Sequence, residues 1–329
     1  MCWSRRVPSH QSVAIARVLT TVVGLSWILS WPSVNAIDYT GGWLPGPRKT
    51  QCVDICASSV QEESACVKSN TASCRQRGPG EYDYLVFEQL FVPQFCRDLR
   101  HGVDPTVSHR NVNPFPMGIQ CNASRVASVL TIHGLWPNNR DSYPACCAVS
   151  TSIPNRPFHA AAFAEHQSSL LEQMSTQWID ATQPSTYDTL CEIYNHEFQK
   201  HGLCFAAFGD DYEKAAVHYF QAALQITSQL EAATRKIQDW AKGLQPQTSL
   251  GELEALYSMR VQVLCSNVDG EATENALSAI RTCYEKPGAQ DTPFKSMDCP
   301  VATTAGAFKP CRPDTPVTLL GYSPLMSVA

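Results

Sequence analysis

The stretch YNHEFQKHGLC, residues 194–204, concentrates groups that can move protons and hold charge. Two histidines, a carboxylate and an ammonium fall within six residues of it: His196, Glu197, Lys200 and His201. A zinc helix would use the spacing His-Glu-x-x-His, with the histidines four residues apart on one face. Here they are five residues apart, and the lysine would place a positive charge beside the ion. The zinc interpretation is therefore weak, and the rest of the chain has to show what these groups do.

The composition of residues 187–202 predicts a helix that ends at Gly202. On such a helix, two pairs are four residues apart and all four side chains project from one side: His196 with Lys200, and Glu197 with His201. A solvent-exposed row of ion pairs would have the same spacing. Spacing alone does not separate a reactive cluster from such a row.

A further histidine, His133, lies in the stretch SVLTIHGLWP at residues 128–137. Aromatic and β-branched residues predict a strand here, and a glycine and a proline end it just after the histidine. Alternation places His133 on one face of this strand, and Leu130 and Ile132 on the other. A lone histidine at the end of a strand is more often structural than catalytic, so this one has to be considered together with residues 194–204.

Taken together, the two stretches resemble the two active-site signatures of the ribonuclease T2 family. Residues 130–137 match apolar-Thr-apolar-His-Gly-Leu-Trp-Pro, and residues 196–204 match His-Glu-aromatic-x-Lys-His-Gly-x-Cys. The resemblance covers about residues 81–312 and implies an α+β fold, in which a disulfide-rich central antiparallel sheet packs with several helices. The irregular order of predicted strands and helices also favours α+β. Four positions that supply no proton carrier depart from the family pattern: Phe91, Val92, Tyr194 and Leu203.

This resemblance implies an endoribonuclease that needs no metal or cofactor. RNA carries its own nucleophile, the 2′-hydroxyl, so cleavage needs a base for its proton and an acid for the leaving 5′-oxygen. The resemblance implies His201 as the base and His133 as the acid, with exchanged roles when water opens the 2′,3′-cyclic phosphate; the sequence itself does not say which is which. Lys200 and His196 suit the negative charge of the phosphorane, and Glu197 can orient its neighbours. We expect activity to peak below neutral pH.

Single-stranded RNA is the expected substrate, and four residues are candidates for binding it: Trp136, Asn138, Tyr143 and Gln89. Trp136 could stack on a base, but it could equally be a core residue beneath the strand. Asn138 could contact a base edge, whereas Tyr143 and Gln89 are weaker candidates. The net charge of −5 and the absence of a basic stripe exclude a protein that binds many phosphates, so the RNA would be held in a local cleft.

The first 36 residues have the features of a signal peptide, namely arginines, a short apolar run and a small residue at Ala36. A membrane anchor is the alternative, but the run at residues 18–31 has only 14 residues, too few to span a bilayer comfortably. We therefore expect a monomer in the secretory pathway, extracellular or in a lysosome or vacuole, without membrane contact after cleavage. The predicted segments are a signal peptide (1–36), a cysteine-rich extension (37–80), a catalytic domain (81–312) and a tail (313–329).

Removal of residues 1–36 would leave 14 of the 15 cysteines, an even number typical of a disulfide framework. The resemblance implies four pairs: Cys147–Cys204, Cys265–Cys311, Cys283–Cys299 and Cys96–Cys121. Cys146 could then pair with Cys191. The remaining four would close two bridges within the extension and make it a self-contained module: Cys52, Cys56, Cys66 and Cys74. Asn122 opens an N-glycosylation sequon at residues 122–124.

Two other functions compete with the ribonuclease interpretation. One is a secreted, cysteine-rich binding or effector protein that keeps the fold without catalysis, and the presence of every expected proton carrier argues against it. The other is a zinc hydrolase, which fails on the spacing of the histidines. Cleavage of RNA in the presence of a chelator separates all three.

Overall fold

Most of the predicted catalytic domain is described by the structure, a computed structural model. It describes residues 52–53, 55–56, 78–105, 113–140, 143–147, 158–182, 189–205, 211–268, 275–288 and 294–322. The predicted signal peptide, most of the extension with Cys66 and Cys74, and the end of the tail lie outside the described residues. None of the described helices combines the length and apolar content needed to cross a membrane.

A central antiparallel sheet has the strand order β2-β1-β5-β4-β7, with β6 paired to β5. Strands β3 and β8 form a separate antiparallel pair. The strands are β1 (Tyr84–Phe91), β2 (Leu130–Asn138), β3 (Gln247–Thr248), β4 (Gln262–Ser266), β5 (Leu277–Glu285), β6 (Ser296–Met297), β7 (Phe308–Pro310) and β8 (Val317–Thr318). The sheet, its helices and its disulfides confirm the predicted α+β, disulfide-rich fold.

The part of the chain that the structure describes contains eight α-helices, the longest of 18 residues, which pack around the sheet. They are α1 (Val92–Arg100), α2 (Ala160–His166), α3 (Ser168–Gln177), α4 (Ile193–Glu197), α5 (Leu203–Phe205), α6 (Tyr212–Gln229), α7 (Glu231–Ala241) and α8 (Leu250–Glu254) among the described residues. Turns of 3₁₀-helix cover Ala123–Arg125 and Thr189–Cys191, and a π-helical turn covers Phe198–Gly202. Near the end of α6, the hydroxyls of Thr227 and Ser228 donate to carbonyls four residues earlier, a contact that weakens a helix before the turn at Leu230.

An aromatic core fixes the back of the π-helical turn. Phe198 is fully buried, with its ring centroid 6.0 Å from that of Phe220 and 6.2 Å from that of Tyr219 on α6. A Cβ added at Gly202 would lie 2.5 Å from the Phe198 ring and 2.9 Å from Tyr219. Gly202 is therefore needed for close packing against α6. It does not end the helix as predicted, because α5 follows directly.

Four of the bridges implied by the family resemblance are present in the structure: Cys147–Cys204, Cys265–Cys311, Cys283–Cys299 and Cys96–Cys121. The suggested Cys146–Cys191 pair is wrong. Cys191 instead bonds to Cys52, and Cys146 bonds to Cys56. Both bridges join the extension to the catalytic domain, so the prediction of a self-contained module is also wrong.

The physical reason for these two bridges is that residues 52–53 and 55–56 lie against the predicted catalytic segment, residues 194–204. The Asn195 side chain donates to the Val53 carbonyl at 2.9 Å, and the Ile55 amide donates to Gln199 Oε1 at 2.9 Å. Ile55 itself is fully buried. These contacts hold Cys52 and Cys56 within bonding distance of partners more than 80 residues away, which counting cysteines could not predict.

Candidate active site

His133 occupies a β-bulge between β1 and β2. Glu88 pairs with Gly134 and Gln89 pairs with Ile132, so His133 is an extra residue without a partner on β1. A bulge changes the direction in which a side chain points. The strand continues to Asn138, so the prediction that it ends just after His133 is wrong, and the irregularity lies inside the strand.

Helix α4 (Ile193–Glu197) carries His196 and Glu197, and the π-helical turn Phe198–Gly202 that follows directly carries Lys200 and His201. The wider backbone loop of the turn brings residues five apart onto one face, and the ring centroids of His196 and His201 are 6.3 Å apart. Such turns occur often at functional sites. The prediction that these side chains share one side is consistent with this geometry, although the repeat is π-helical at this point and not α-helical.

A cleft of about 1100 Å³ brings the two stretches together. The predicted residues that line it are His133, Trp136, Asn138, Tyr143, His196, Glu197, Lys200 and His201. Gln89 is not among them. It is buried on the other face of β1, where its amide donates to Thr234 Oγ1 on α7 at 3.3 Å. Because successive residues of a strand face opposite sides, the cleft receives Glu88 instead.

Gly134 allows the Glu197 carboxylate to lie directly against β2. A Cβ added at Gly134 would lie 2.1 Å from Glu197 Oε2 and 2.2 Å from Trp136 Nε1. In the space left by the glycine, Trp136 Nε1 donates to Glu197 Oε2 at 2.9 Å. Burial raises the pKa of Glu197 to about 7, against the opposing effects of His133, this hydrogen bond and Lys200.

His133 lies between carboxylates. Its Nδ1 is 2.5 Å from Glu88 Oε1, and its Nε2 is 3.9 Å from Glu197 Oε1. Burial alone would lower the pKa of His133, but the charge and hydrogen bond of Glu88, helped by Glu197 and Asp104, raise it above the usual value. The site therefore favours the protonated form of this histidine.

His201 has the opposite surroundings. Burial, and then the positive charges of Lys200, His196 and His133, hold the pKa of His201 well below its usual value. Its Nδ1 is buried and has no hydrogen-bond partner within the part of the chain that the structure describes. The neutral imidazole is therefore the favoured form. A cleft with one protonated and one neutral histidine has the groups for general acid–base catalysis.

Comparison with known proteins identifies the family. The sequence model of the ribonuclease T2 family matches residues 82–299. The chain belongs to the ribonuclease T2 family. Ribonuclease 1 of Arabidopsis thaliana is 32% identical over 234 residues, which cover 67% of this chain and 81% of that protein. Ribonuclease DdI of Dictyostelium discoideum is 24% identical over 227 residues, covering 68% and 80% respectively.

Solved structures with a similar fold include the Japanese pear S3-RNase. It has a TM-score of 0.46 and 22% identity, and the match covers 74% of this chain and 97% of the pear protein. The family match and the named ribonucleases confirm the prediction that this chain is an endoribonuclease of the T2 type.

Two cleft residues of this T2 ribonuclease were missed from the sequence. Glu88 lies directly opposite Arg281 in the β1–β5 register, and its Oε2 is 2.5 Å from Arg281 Nε. A signal was available, because Glu88 is the single charged residue of YLVFEQLF and Arg281 is the single charged residue inside LSAIRTCYE, whose other charge is at its exposed last position. Charges in buried strands need partners, so these two should have been considered as a pair.

The Trp136 ring lies close to both cleft histidines, His133 and His201. Its ring centroid is 4.8 Å from that of His133, edge-on, and 5.6 Å from that of His201. Its Nε1–H donates to Glu197 Oε2 and so orients that carboxylate, while the indole ring itself lines the cleft. Asn138 Nδ2 donates to the Trp136 carbonyl at 3.3 Å, and the Tyr143 ring is 6.3 Å from the ring of His201.

One group of side chains in the described residues has the composition of a metal site: His196, Glu197 and His201, whose candidate atoms lie within 4.8 Å of one another. His196 Nε2 and Glu197 Oε1 are 3.9 Å apart. Ligands at about 2.0–2.1 Å from a tetrahedral zinc ion would be roughly 3.4 Å apart. Since Lys200 also lies in this wall of the cleft, the geometry does not favour a cation, and we assign no metal to the site.

Proposed function

We propose that this ribonuclease cleaves single-stranded RNA by metal-independent transesterification, through 2′,3′-cyclic phosphates to 3′-phosphate products. The observation that carries the proposal is the opposite environment of the two cleft histidines. His133 is flanked by carboxylates, and His201 by positive charges. One can donate a proton while the other accepts one at the same pH.

In the first step, His201 accepts the proton of the 2′-hydroxyl, and the 2′-oxygen forms a bond to phosphorus. The bond from phosphorus to the 5′-oxygen then breaks, and His133 Nε2 donates its proton to that oxygen. In the second step the roles reverse: His133 accepts a proton from water and the water oxygen bonds to phosphorus. The bond from phosphorus to the 2′-oxygen then breaks, and His201 donates its proton to that oxygen. Both histidines end in their starting state, and no other reactant is required.

A phosphorane with additional negative charge forms in each step, and helix α4 and the π-helical turn after it supply groups to stabilise this charge. Lys200 and His196 both line the cleft beside His201. Because burial raises the pKa of Glu197 to about 7, a large fraction of it is protonated at acid pH, where it could donate to a phosphoryl oxygen. Donors held in place before reaction stabilise such charge effectively.

The pH dependence follows from the same two histidines. The rate should rise as pH passes the lowered pKa of His201 and fall as pH passes the raised pKa of His133. The protonated form of Glu197, which could donate to the phosphoryl oxygen, is also favoured at acid pH because its pKa is about 7. This supports a rate optimum below neutral pH.

For the substrate, we propose that Trp136, Asn138 and Tyr143 contact a nucleotide in the cleft. All three line it close to the histidines. Aromatic side chains can stack on a base, and an amide can contact its edge. Gln89, which is buried away from the cleft, is withdrawn from this group.

We further propose that the protein folds in the secretory pathway as a monomer and is released or delivered to a lysosome or vacuole. Six disulfides among the described residues support an oxidising compartment. Asn122 supports glycosylation, because it lies at an exposed 3₁₀ turn where its Oδ1 accepts from the Ser124 hydroxyl at 2.8 Å.

The experiment is cleavage of dinucleotides at about pH 5 in excess chelator, with the products separated by chromatography. We expect a 2′,3′-cyclic phosphate that appears first and then converts to a 3′-phosphate. His166→Phe is a matched control, because this histidine is exposed and lies outside the cleft. Absence of cleavage would favour a binding or effector protein on this fold. Cleavage that the chelator abolishes would contradict the metal-independent mechanism.

A further inference from the structure

We propose that Glu88 and Arg281 form a charge relay that positions His133 and keeps it in the form that acts as the acid. We call this group the Arg281–Glu88–His133 relay. The proposal rests on the proposed function, because it concerns the step in which His133 donates a proton. Glu88 and Arg281 are positioning residues, since they act through the histidine.

The geometry of Glu88 uses both of its oxygens. Glu88 is fully buried, with Oε1 2.5 Å from His133 Nδ1 and Oε2 2.5 Å from Arg281 Nε. A carboxylate only accepts, so His133 must carry its proton on Nδ1 in this contact. That fixes the ring and leaves Nε2 on the side of Glu197, 3.9 Å away. Nε2 is therefore the nitrogen that can exchange a proton with the substrate.

The relay is built from three adjacent strands. Glu88 on β1 lies opposite Arg281 on β5, and the bulge in β2 turns His133 toward Glu88 from the other side. Ladder hydrogen bonds hold the strands in this register, so the three side chains cannot shift independently. Groups on such rigid elements keep their geometry better than groups on loops.

Arg281 keeps the buried carboxylate ionised. Burial alone would raise the pKa of Glu88, but Arg281 first and then His133 lower it below its usual value. The guanidinium is itself held between two rings, with its central carbon 5.8 Å from the Trp136 centroid and 5.6 Å from that of Phe308. An isolated charge in this position would be costly, so the pair with Glu88 explains why both charges are tolerated.

Other charged groups also act on His133, but at longer range. Glu197 lies on the catalytic segment and Asp104 on the loop after α1, and both favour the protonated ring. His201, when protonated, opposes it. Among the contacts of the described residues, only Glu88 lies within hydrogen-bond distance of the ring. Glu88 is therefore the group whose charge should dominate the acid limit of His133.

The test is Glu88→Gln, which keeps the size and an accepting oxygen but removes the charge. We expect kcat/KM on a dinucleotide to fall on the order of 10²-fold or more, since a carboxylate that orients a catalytic histidine is worth up to about 10⁴ in the Ser-His-Asp template. The descending limb of the pH profile should also move to lower pH, because the remaining Arg281 charge disfavours protonated His133. A merely structural role would lower the rate without moving that limb.

Asp98→Asn is the matched control. Asp98 is another fully buried carboxylate beside the sheet, held by the hydroxyls of Ser266 and Ser278. Its substitution should reduce stability but leave the descending limb in place. The proposal is overturned if Glu88→Gln leaves the limb unchanged, or if Asp98→Asn moves it equally.

A second measurement reads the relay without turnover, using NMR titration of labelled histidines in the complete protein. The wild-type Nδ1 proton of His133 should resonate far downfield and persist while the exposed histidines titrate. In Glu88→Gln, the His133 midpoint should fall. If the variant does not fold, the wild-type signal decides, and its absence overturns the relay. Because this readout needs no substrate, a working relay in a protein that forms no cyclic phosphate would contradict only the proposed function.

Discussion

The two histidines proposed as acid and base, His133 and His201, line one cleft but have contrasting surroundings. His133 projects from a strand bulge and is held by Glu88, with Glu197 on its other side. His201 projects from a π-helical turn, beside Lys200 and His196. The same side chain is therefore driven toward opposite protonation states by opposite neighbouring charges.

This difference shows that the sequence motif alone does not assign the chemistry. Both histidines are followed by a glycine, yet the two glycines have different tasks. Gly134 admits the Glu197 carboxylate, whereas Gly202 packs against the aromatic core. The assignment of acid and base comes from the groups around each ring. The variants and conditions that follow change one of the two histidines, the groups around it, or its protonation.

The largest effect should come from removing either histidine. We expect His133→Phe and His201→Phe each to reduce kcat at least ~10³-fold, within the range that general acid–base groups supply. Steady-state kinetics on a dinucleotide gives the measurement, with His166→Phe as the unaffected control. Either cleft variant retaining more than a tenth of wild-type kcat would contradict its assignment.

Removing the ammonium on the His201 side should have the next largest effect. Lys200→Ala should lower kcat on the order of 10²–10³-fold, because charge stabilisation of the phosphorane is lost. Kinetics that separate kcat from KM are required. An increase confined to KM would show that Lys200 binds the ground-state phosphate instead.

A smaller effect should follow from cutting the bridge next to His201. Replacement of both Cys147 and Cys204 by Ala should reduce stability by ~2–5 kcal/mol, and also activity, because this bridge fixes the end of the catalytic segment. Cys265 and Cys311 provide the control, since their bridge closes a loop of similar length and neither cysteine lines the cleft. We expect that double variant to lose similar stability with little change in kcat. Equal losses of kcat in the two double variants would contradict the positioning role.

Two further bridges, Cys52–Cys191 and Cys56–Cys146, flank the same segment. They should therefore resemble Cys147–Cys204 in affecting kcat as well as stability.

The smallest effect should be a difference in the pH dependence of stability. Because the folded-state pKa of His201 is depressed, its contribution to stability is lost as pH falls below the unfolded value of about 6.5. The stability of His201→Phe should therefore increase relative to that of wild type as the pH is lowered from 7.5 to 5.

His133 has a raised pKa, so its contribution to stability is present at pH 5 and is lost as pH rises through the folded-state pKa. The loss of stability in His133→Phe, compared with wild type, should therefore be largest at pH 5. Denaturant unfolding at both pH values tests this, and the same sign for both variants would contradict the contrast.

Much of the site was predictable because its groups recur as contiguous residues. Two short stretches identified five residues that the structure brings together in one cleft: His133, His196, Glu197, Lys200 and His201. The α+β class also followed from the irregular order of elements. A short stretch of sequence carries this information because the residues that predict a strand, a helix or a motif are neighbours in the chain.

What could not be predicted depends on long-range register. Glu88 and Arg281 are 193 residues apart and meet only because β1 pairs with β5. The bulge at His133 and the bond from Cys52 to Cys191 arise in the same way from tertiary packing. The sequence did not show which face of β1 points into the cleft. Gln89 was therefore predicted to bind substrate, whereas its neighbour Glu88 lines the cleft.

The most direct test of the acid–base assignment changes the leaving group. A nucleoside 3′-(p-nitrophenyl phosphate) releases a weakly basic anion that needs no acid, whereas a dinucleotide releases a 5′-alkoxide that does. Cleavage rates of His133→Ala and His201→Ala are compared on both substrates. We predict that His133→Ala is severely impaired on the dinucleotide but close to wild type on the nitrophenyl ester, while His201→Ala is impaired on both. Equal impairment of His133→Ala on both substrates, or rescue of His201→Ala by the ester, would contradict the account.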